Sequence, residues 1–226
     1  ALAQLGLFIW LLGIYRRSRA PGALVLLVPQ FFLIWDNLRV AAGIVIGFGD
    51  LLYALSWPAF WAHWLSGCWL IITCGSILRL ANFELADRID IFVPEERQIV
   101  QHQCSGHDLP LFWTKDIYPV CEFDLIRYSG TVTEANRCSA TQVLVPSDGP
   151  PIAPIVTCFV TIIVGAVLWL RRGLPWLTLG GIAMLLTVAI PVLNRHRLDN
   201  LGEVFIHGGA ILTLWQLTRA GDQRVR

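Results

Sequence analysis

Glu203 and His207 stand four residues apart near the start of one apolar run, and Asp36 and Arg39 stand three apart near the middle of another. Either spacing puts both side chains on one helical face. A carboxylate and an imidazole so placed can share a metal, or the carboxylate can orient the ring for proton transfer. His63, flanked by Trp61 and Trp64, is a further imidazole within an apolar run. Together Asp36, Arg39, His63, Glu203 and His207 would form an acid–base or metal site, with Arg39 holding an anionic head group. Each also has a plainer reading. Asp36 and Arg39 can neutralise each other and fix helix packing, Glu203 lies near a helix N-terminus, where carboxylates are stabilised anyway, and His63 fits an interface position beside its tryptophans.

A second cluster of ligand-type side chains is His102-Gln103-Cys104-Ser105-Gly106-His107. His102, Cys104 and His107 suit zinc or copper, and Cys121 or Cys138 would complete a four-ligand set. The spacing matches no standard zinc finger; the competing reading is one disulfide and two exposed histidines. Cys104, Cys121 and Cys138 are an odd number, so one bridge and one remaining thiol are expected in this region. Cys121–Cys138 is the first choice, since it would close a hairpin. Bridges to Cys68, Cys74 or Cys158 are disfavoured because those residues lie in apolar segments.

The elements that must position these residues are apolar runs of roughly membrane length. The chain has 226 residues, 55% hydrophobic and 15% charged, with a mean hydropathy of +0.60. Soluble domains average nearer a quarter charged. Helices are predicted at Ala1–Tyr15, Ala23–Gly47, Pro58–Leu80, Ile152–Leu170, Leu174–Leu193 and Leu201–Leu217, and a bilayer span needs about 20 such residues. The expected fold is an all-α polytopic membrane protein of about six transmembrane helices. Residues 1–80 carry three of them, 151–226 carry three more with a short basic tail, and 81–150 form a small β-rich or irregular insert. The chain opens Ala1-Leu2-Ala3, already apolar, as expected of a trimmed or processed end. Gly43 and Gly47 share a face with Asp36 and read as a helix-packing seam.

The insert has eleven acids and five bases, leaving a net charge of +7 on the remainder. Short apolar runs at Ile89–Val93, Leu109–Trp113, Asp116–Tyr128, Thr131–Thr133 and Thr141–Val145 read as strands, and Tyr128-Ser129-Gly130-Thr131 reads as a hairpin turn. Six alternating spans would put the arginines at 16–19 on the insert's side, and Arg171, Arg172 and the tail on the other. The acidic, cysteine-bearing insert suits an oxidising, extracytoplasmic side.

No phosphate loop, dinucleotide fingerprint, HExxH or GxSxG motif occurs, and no basic patch on a soluble scaffold supports nucleic-acid binding. The leading expectation is an integral membrane subunit whose helices pack in a larger assembly or oligomer and whose insert contacts a membrane-protein partner. The alternatives are a membrane-embedded enzyme acting on a lipid or isoprenoid, and a carrier of haem, metal or protons that would use His63 and His207 as axial ligands.

Overall fold

The computed structural model describes residues 1–84, 86, 116–122, 125–146, 152–189 and 199–224. Among the described residues the fold is mostly helical, with one small sheet. Six long helices occur among the described residues: α1 (Leu2–Ser18), α2 (Pro21–Ile46), α3 (Asp50–Leu80), α4 (Ile152–Arg172), α5 (Trp176–Ala189) and α6 (Asp199–Arg224). Strands β1 (Tyr118–Glu122) and β2 (Leu125–Ser129) lie between α3 and α4. Among the described residues two segments are long and apolar enough to cross a membrane, Pro21–Ile46 and Ile155–Arg172.

Local chemistry sets the helix limits. Arg19, at φ 53, returns its N–H to the Tyr15 carbonyl and closes α1. Pro21 then opens α2 at a position where its missing N–H costs nothing. Gly47 ends α2 at φ 72, a left-handed conformation that glycine adopts without steric penalty. Helix α3 begins at Asp50, eight residues before the expected start, and carries Pro58 in its interior. A proline there removes one backbone bond but need not end the helix when packing holds both halves.

Helices α2 and α3 run antiparallel: Trp35 donates to the Leu55 carbonyl and Arg39 donates to Ser56, while Gly22 packs on Ser76 at the far end. Helices α5 and α6 also run antiparallel, at close range. A Cβ on Gly209 would meet the Trp176 carbonyl and the Gly180 Cα, and one on Gly202 would meet Met184 and Thr187. Here small residues admit backbone-to-backbone approach.

Helices α3 and α4 run parallel, which six simply alternating spans do not predict. Gly67 faces Thr157, the Cys74 side chain bonds Thr161, and Arg172 donates to the Ala81 carbonyl at 2.5 Å. Positions therefore advance together along both helices. The arginine-rich ends consequently gather at one end of the bundle: Arg16, Arg17 and Arg19 after α1, Arg79 in α3, Arg171 and Arg172 in α4, and Arg219 and Arg224 in α6. This differs from the sequence expectation, which divided them between the two sides.

The β-hairpin lies at the opposite end. Gly43 is pressed against the Ile126 carbonyl, and Tyr128 sits edge-on to Phe48 at 5.9 Å and to Tyr53 at 5.3 Å. So the chain leaves α3 at the arginine end and reappears at the other. The strand register pairs Val120 with Arg127 and Cys121 with Ile126. The strands also pair Glu122 with Leu125, so the expected turn at Tyr128–Thr131 does not close this hairpin; there Ser129 Oγ accepts from the Thr131 N–H. The expected strands at 131–133 and 141–145 reduce to a single Val132–Val145 bridge, and those at 89–93 and 109–113 lie outside the described residues.

The Cys121–Cys138 disulfide forms, as expected. It ties β1 to the following loop rather than closing the hairpin itself. Around it, Cys121 N–H donates to the Asn136 carbonyl at 2.8 Å and Gln142 donates to the Pro119 carbonyl at 2.7 Å. Cys68 in α3 is disulfide-bonded as well, although the sequence disfavours bridges to the cysteines of apolar segments. Cys74 and Cys158 are buried and free.

With Cys121 and Cys138 separated by 17 positions, replacing Cys138 by Ser should destabilise the 118–146 unit by about 3 kcal/mol. Faster hydrogen exchange at Cys121 and Gln142, with the α5–α6 amides unchanged, is the expected readout.

Candidate functional site

The candidate residues occupy two levels of the bundle. The first belongs to α2 and α3. Arg39 donates to the Asp36 carboxylate at 2.6 Å and 3.2 Å, a contact the three-residue spacing permits. Its other arm donates to Ser56 Oγ at 3.1 Å, and Ser56 in turn donates to the Leu52 carbonyl at 2.6 Å. Both charged side chains are shielded, at 6% and 14% exposure. The Asp36 carboxylate and the Ser56 hydroxyl thus engage three of the five guanidinium N–H groups. One turn further on, Gly43 receives the hairpin and Gly47 lies past the helix end with no neighbour within 4 Å. The glycine pair read as a helix seam is therefore a strand-docking notch and a helix terminator.

The second level lies where α1, α2 and α6 meet. Glu203, His207, Ala210 and Leu214 recur at spacings of four, three and four, and all four are buried. At one end of this face Leu214 packs on Gly22 of α2. Helix α1 lies alongside α6 in parallel, with Leu7 beside Gly208 and Trp10 edge-on to Trp215 at 6.0 Å. Gln4, one turn before Leu7, reaches Gln30 of α2. Gln30 Nε2 donates to Gln4 Oε1 at 2.5 Å and to the Gln4 carbonyl at 2.9 Å. Gln4 and Gln30 are 1% and 0% exposed. The amides therefore sit at the level of His207.

The structure does not unite the two levels in one pocket. Arg39 is nine residues beyond Gln30 on α2, about 13 Å at 1.5 Å per residue, and it faces α3. His63 lies in α3, but its side chain is outside the described residues. So are His102, Cys104 and His107, the proposed metal ligands. Among the described residues no group of three or more His, Cys, Asp or Glu side chains is arranged to hold a metal.

Sequence reasoning passed over Gln4, Gln30 and Ser56. A signal existed for the first two: each is a lone amide in an otherwise apolar run, and buried amides need partners. Their pairing had no signal, because it depends on how α1 leans on α2. The same holds for the α5–α6 contact, whose Gly180 and Gly209 are visible but do not name their partners.

No protein family model, curated protein or solved structure matches this chain.

The Asp36–Arg39 pair can be tested by a mutant cycle. Either single change to Leu should cost about 3–5 kcal/mol, because it leaves a buried charge without its counterion; the double change should recover most of that loss. Thermal unfolding of the three variants in detergent gives the comparison. Equal, additive losses would show the pair to be uncoupled.

Proposed function

We propose that this chain is a multi-pass membrane subunit, with its arginine end in the cytoplasm and its hairpin end outside, and that the hairpin unit contacts a partner. One observation carries the membrane part of this reading: large apolar side chains cover the outside of the helices, while several polar ones are buried within the apolar core. Leu2, Ile9, Phe31, Val45, Ile163 and Leu170 are among the large apolar side chains on the outside of the helices, while Gln4, Gln30, Arg39, Thr73, Thr161 and His207 are buried. Water-soluble monomers rarely expose apolar surface on this scale. In a hydrocarbon solvent that exterior is favourable, and polar side chains turn inward to meet one another.

The parallel pairing of α3 and α4 supports the orientation. Eight arginines collect at one end, and short basic flanks are retained in the cytoplasm. The described arginines of the hairpin unit are matched: Arg127 pairs with Glu122 and Arg137 with Glu134. Disulfides at Cys121–Cys138 and at Cys68 suit an oxidising compartment. Aromatic side chains flank both ends, Trp10, Trp176 and Trp215 toward one and Trp35, Phe48, Tyr53 and Tyr128 toward the other, consistent with two interfacial belts.

The partner reading draws on two features. Val143 and Leu144 are 79% and 44% exposed on the disulfide-tied loop, an apolar pair held out on an otherwise polar unit. The separation of Asp36–Arg39 from Glu203–His207 weighs against the alternative of one catalytic pocket for a lipid or isoprenoid.

Two measurements test the proposal. An epitope inserted after Ala140 should be reached by antibody in intact cells, and one inserted after Gly173 only after permeabilisation; the reverse pattern would overturn the orientation. Changing Val143 and Leu144 together to Asp should lower recovery of a cross-linked membrane partner by at least about tenfold, equivalent to about 1.4 kcal/mol. The helical unfolding temperature should not change. Undiminished recovery would remove the hairpin from the interface.

A further inference from the structure

The junction of α1, α2 and α6 holds more hydrogen-bonding capacity than its own side chains use. Among the described residues Gln4 Nε2, Gln30 Oε1 and His207 Nδ1 are buried without a hydrogen-bond partner. The amide pair satisfies one donor and one acceptor internally, and exchanging nitrogen and oxygen within either amide still leaves surplus capacity. Pro29 adds to it: lacking an N–H, it leaves the Val25 carbonyl without its helical donor one turn away. Buried polar atoms without partners cost about 1–3 kcal/mol each, so three at one level demand a physical account.

The donor and acceptor types point to the ligand. Gln4 presents an N–H, Gln30 presents a carbonyl oxygen, and an imidazole nitrogen can serve in either role. A molecule that both donates and accepts, and that makes two to four such bonds in a small apolar enclosure, is water. The surrounding layers are apolar and tight, with Leu11, Leu26, Leu33, Ala210 and Ile211 at 3% exposure or less, which favours a ligand of that size over an organic cofactor. Glu203, one turn from His207 on the same face, adds a second proton-exchanging group.

We propose that the α1–α2–α6 junction is a built site for water, in which Gln4, Gln30 and His207 hold a short hydrogen-bonded chain and exchange protons with it. The site stands independently of any partner of the hairpin unit.

The test is water-to-protein magnetisation transfer by solid-state NMR on the full chain in lipid vesicles. The imidazole of His207 and the side-chain amides of Gln4 and Gln30 should gain signal as early as exposed Gln and Thr side chains of the 139–142 loop. The backbone amides of Leu11 and Ala210 should lag. In the Gln4→Leu, Gln30→Leu double variant the His207 transfer peak should be lost. Transfer to His207 as slow as to Leu11 in the unmodified chain would overturn the proposal, as would an undiminished His207 peak in a folded double variant. Should the double variant fail to fold, the unmodified chain decides alone: early transfer at all three side chains supports the site, and late transfer at His207 removes it.

Discussion

Arg172 donates to the Ala81 carbonyl at 2.5 Å, and its guanidinium lies over the Phe83 ring at 5.7 Å. A cation is favourable at the C-terminus of a helix, where carbonyls lack internal partners. This contact joins the ends of α3 and α4. With Gly67 against Thr157 fixing the other part of the seam, the two helices can only run in the same direction. That constraint sends the hairpin to the far end of the bundle, gathers the arginines at the near end and seats Ile126 on Gly43.

Inside the bundle, polar groups are used in two ways. At the hairpin end the arginine, carboxylate and hydroxyl of Arg39, Asp36 and Ser56 complete one another, and the hydroxyl finishes on a backbone carbonyl. Such a set ties α2 to α3. At the α1–α2–α6 junction the set is open, since Gln4, Gln30 and His207 each retain an unused atom among the described residues. The contrast lies in geometry rather than in residue type. A short three-residue spacing within one helix lets Arg39 fold back on Asp36, whereas the glutamines meet across helices and reach each other with one end only.

Much of the helical framework was legible in the sequence because long apolar runs with polar interruptions admit few alternatives. The Cys121–Cys138 bridge was legible for a similar reason: spacing and parity left few pairings. Helix direction was not. Periodicity places a residue on a face but says nothing about which end of a helix meets which end of the next when a long polar stretch intervenes. The parallel α3–α4 pairing rests on Arg172 meeting Ala81, 91 positions away, and no local pattern encodes that. Gly43 shows the same limit. Its small size correctly marked a close approach, but the approaching group is a strand carbonyl rather than a helix. Gln4 and Gln30 were visible as anomalies, yet their meaning depended on each other.

The wide separation along the chain between Ala81 and Arg172 also orders events during synthesis. Helices α2 and α3 are joined by a three-residue link and can pair as soon as both have been made. Closing the seam between α3 and α4 must wait until the whole intervening stretch has left the ribosome, and closure over that length carries a larger entropic penalty. Until then the face of α3 that bears Gly67 and Cys74 has no partner. The contacts of α6 with α1, α2 and α5 come later still, so the α3–α4 seam closes midway through assembly, after the hairpin unit that it brackets has been made.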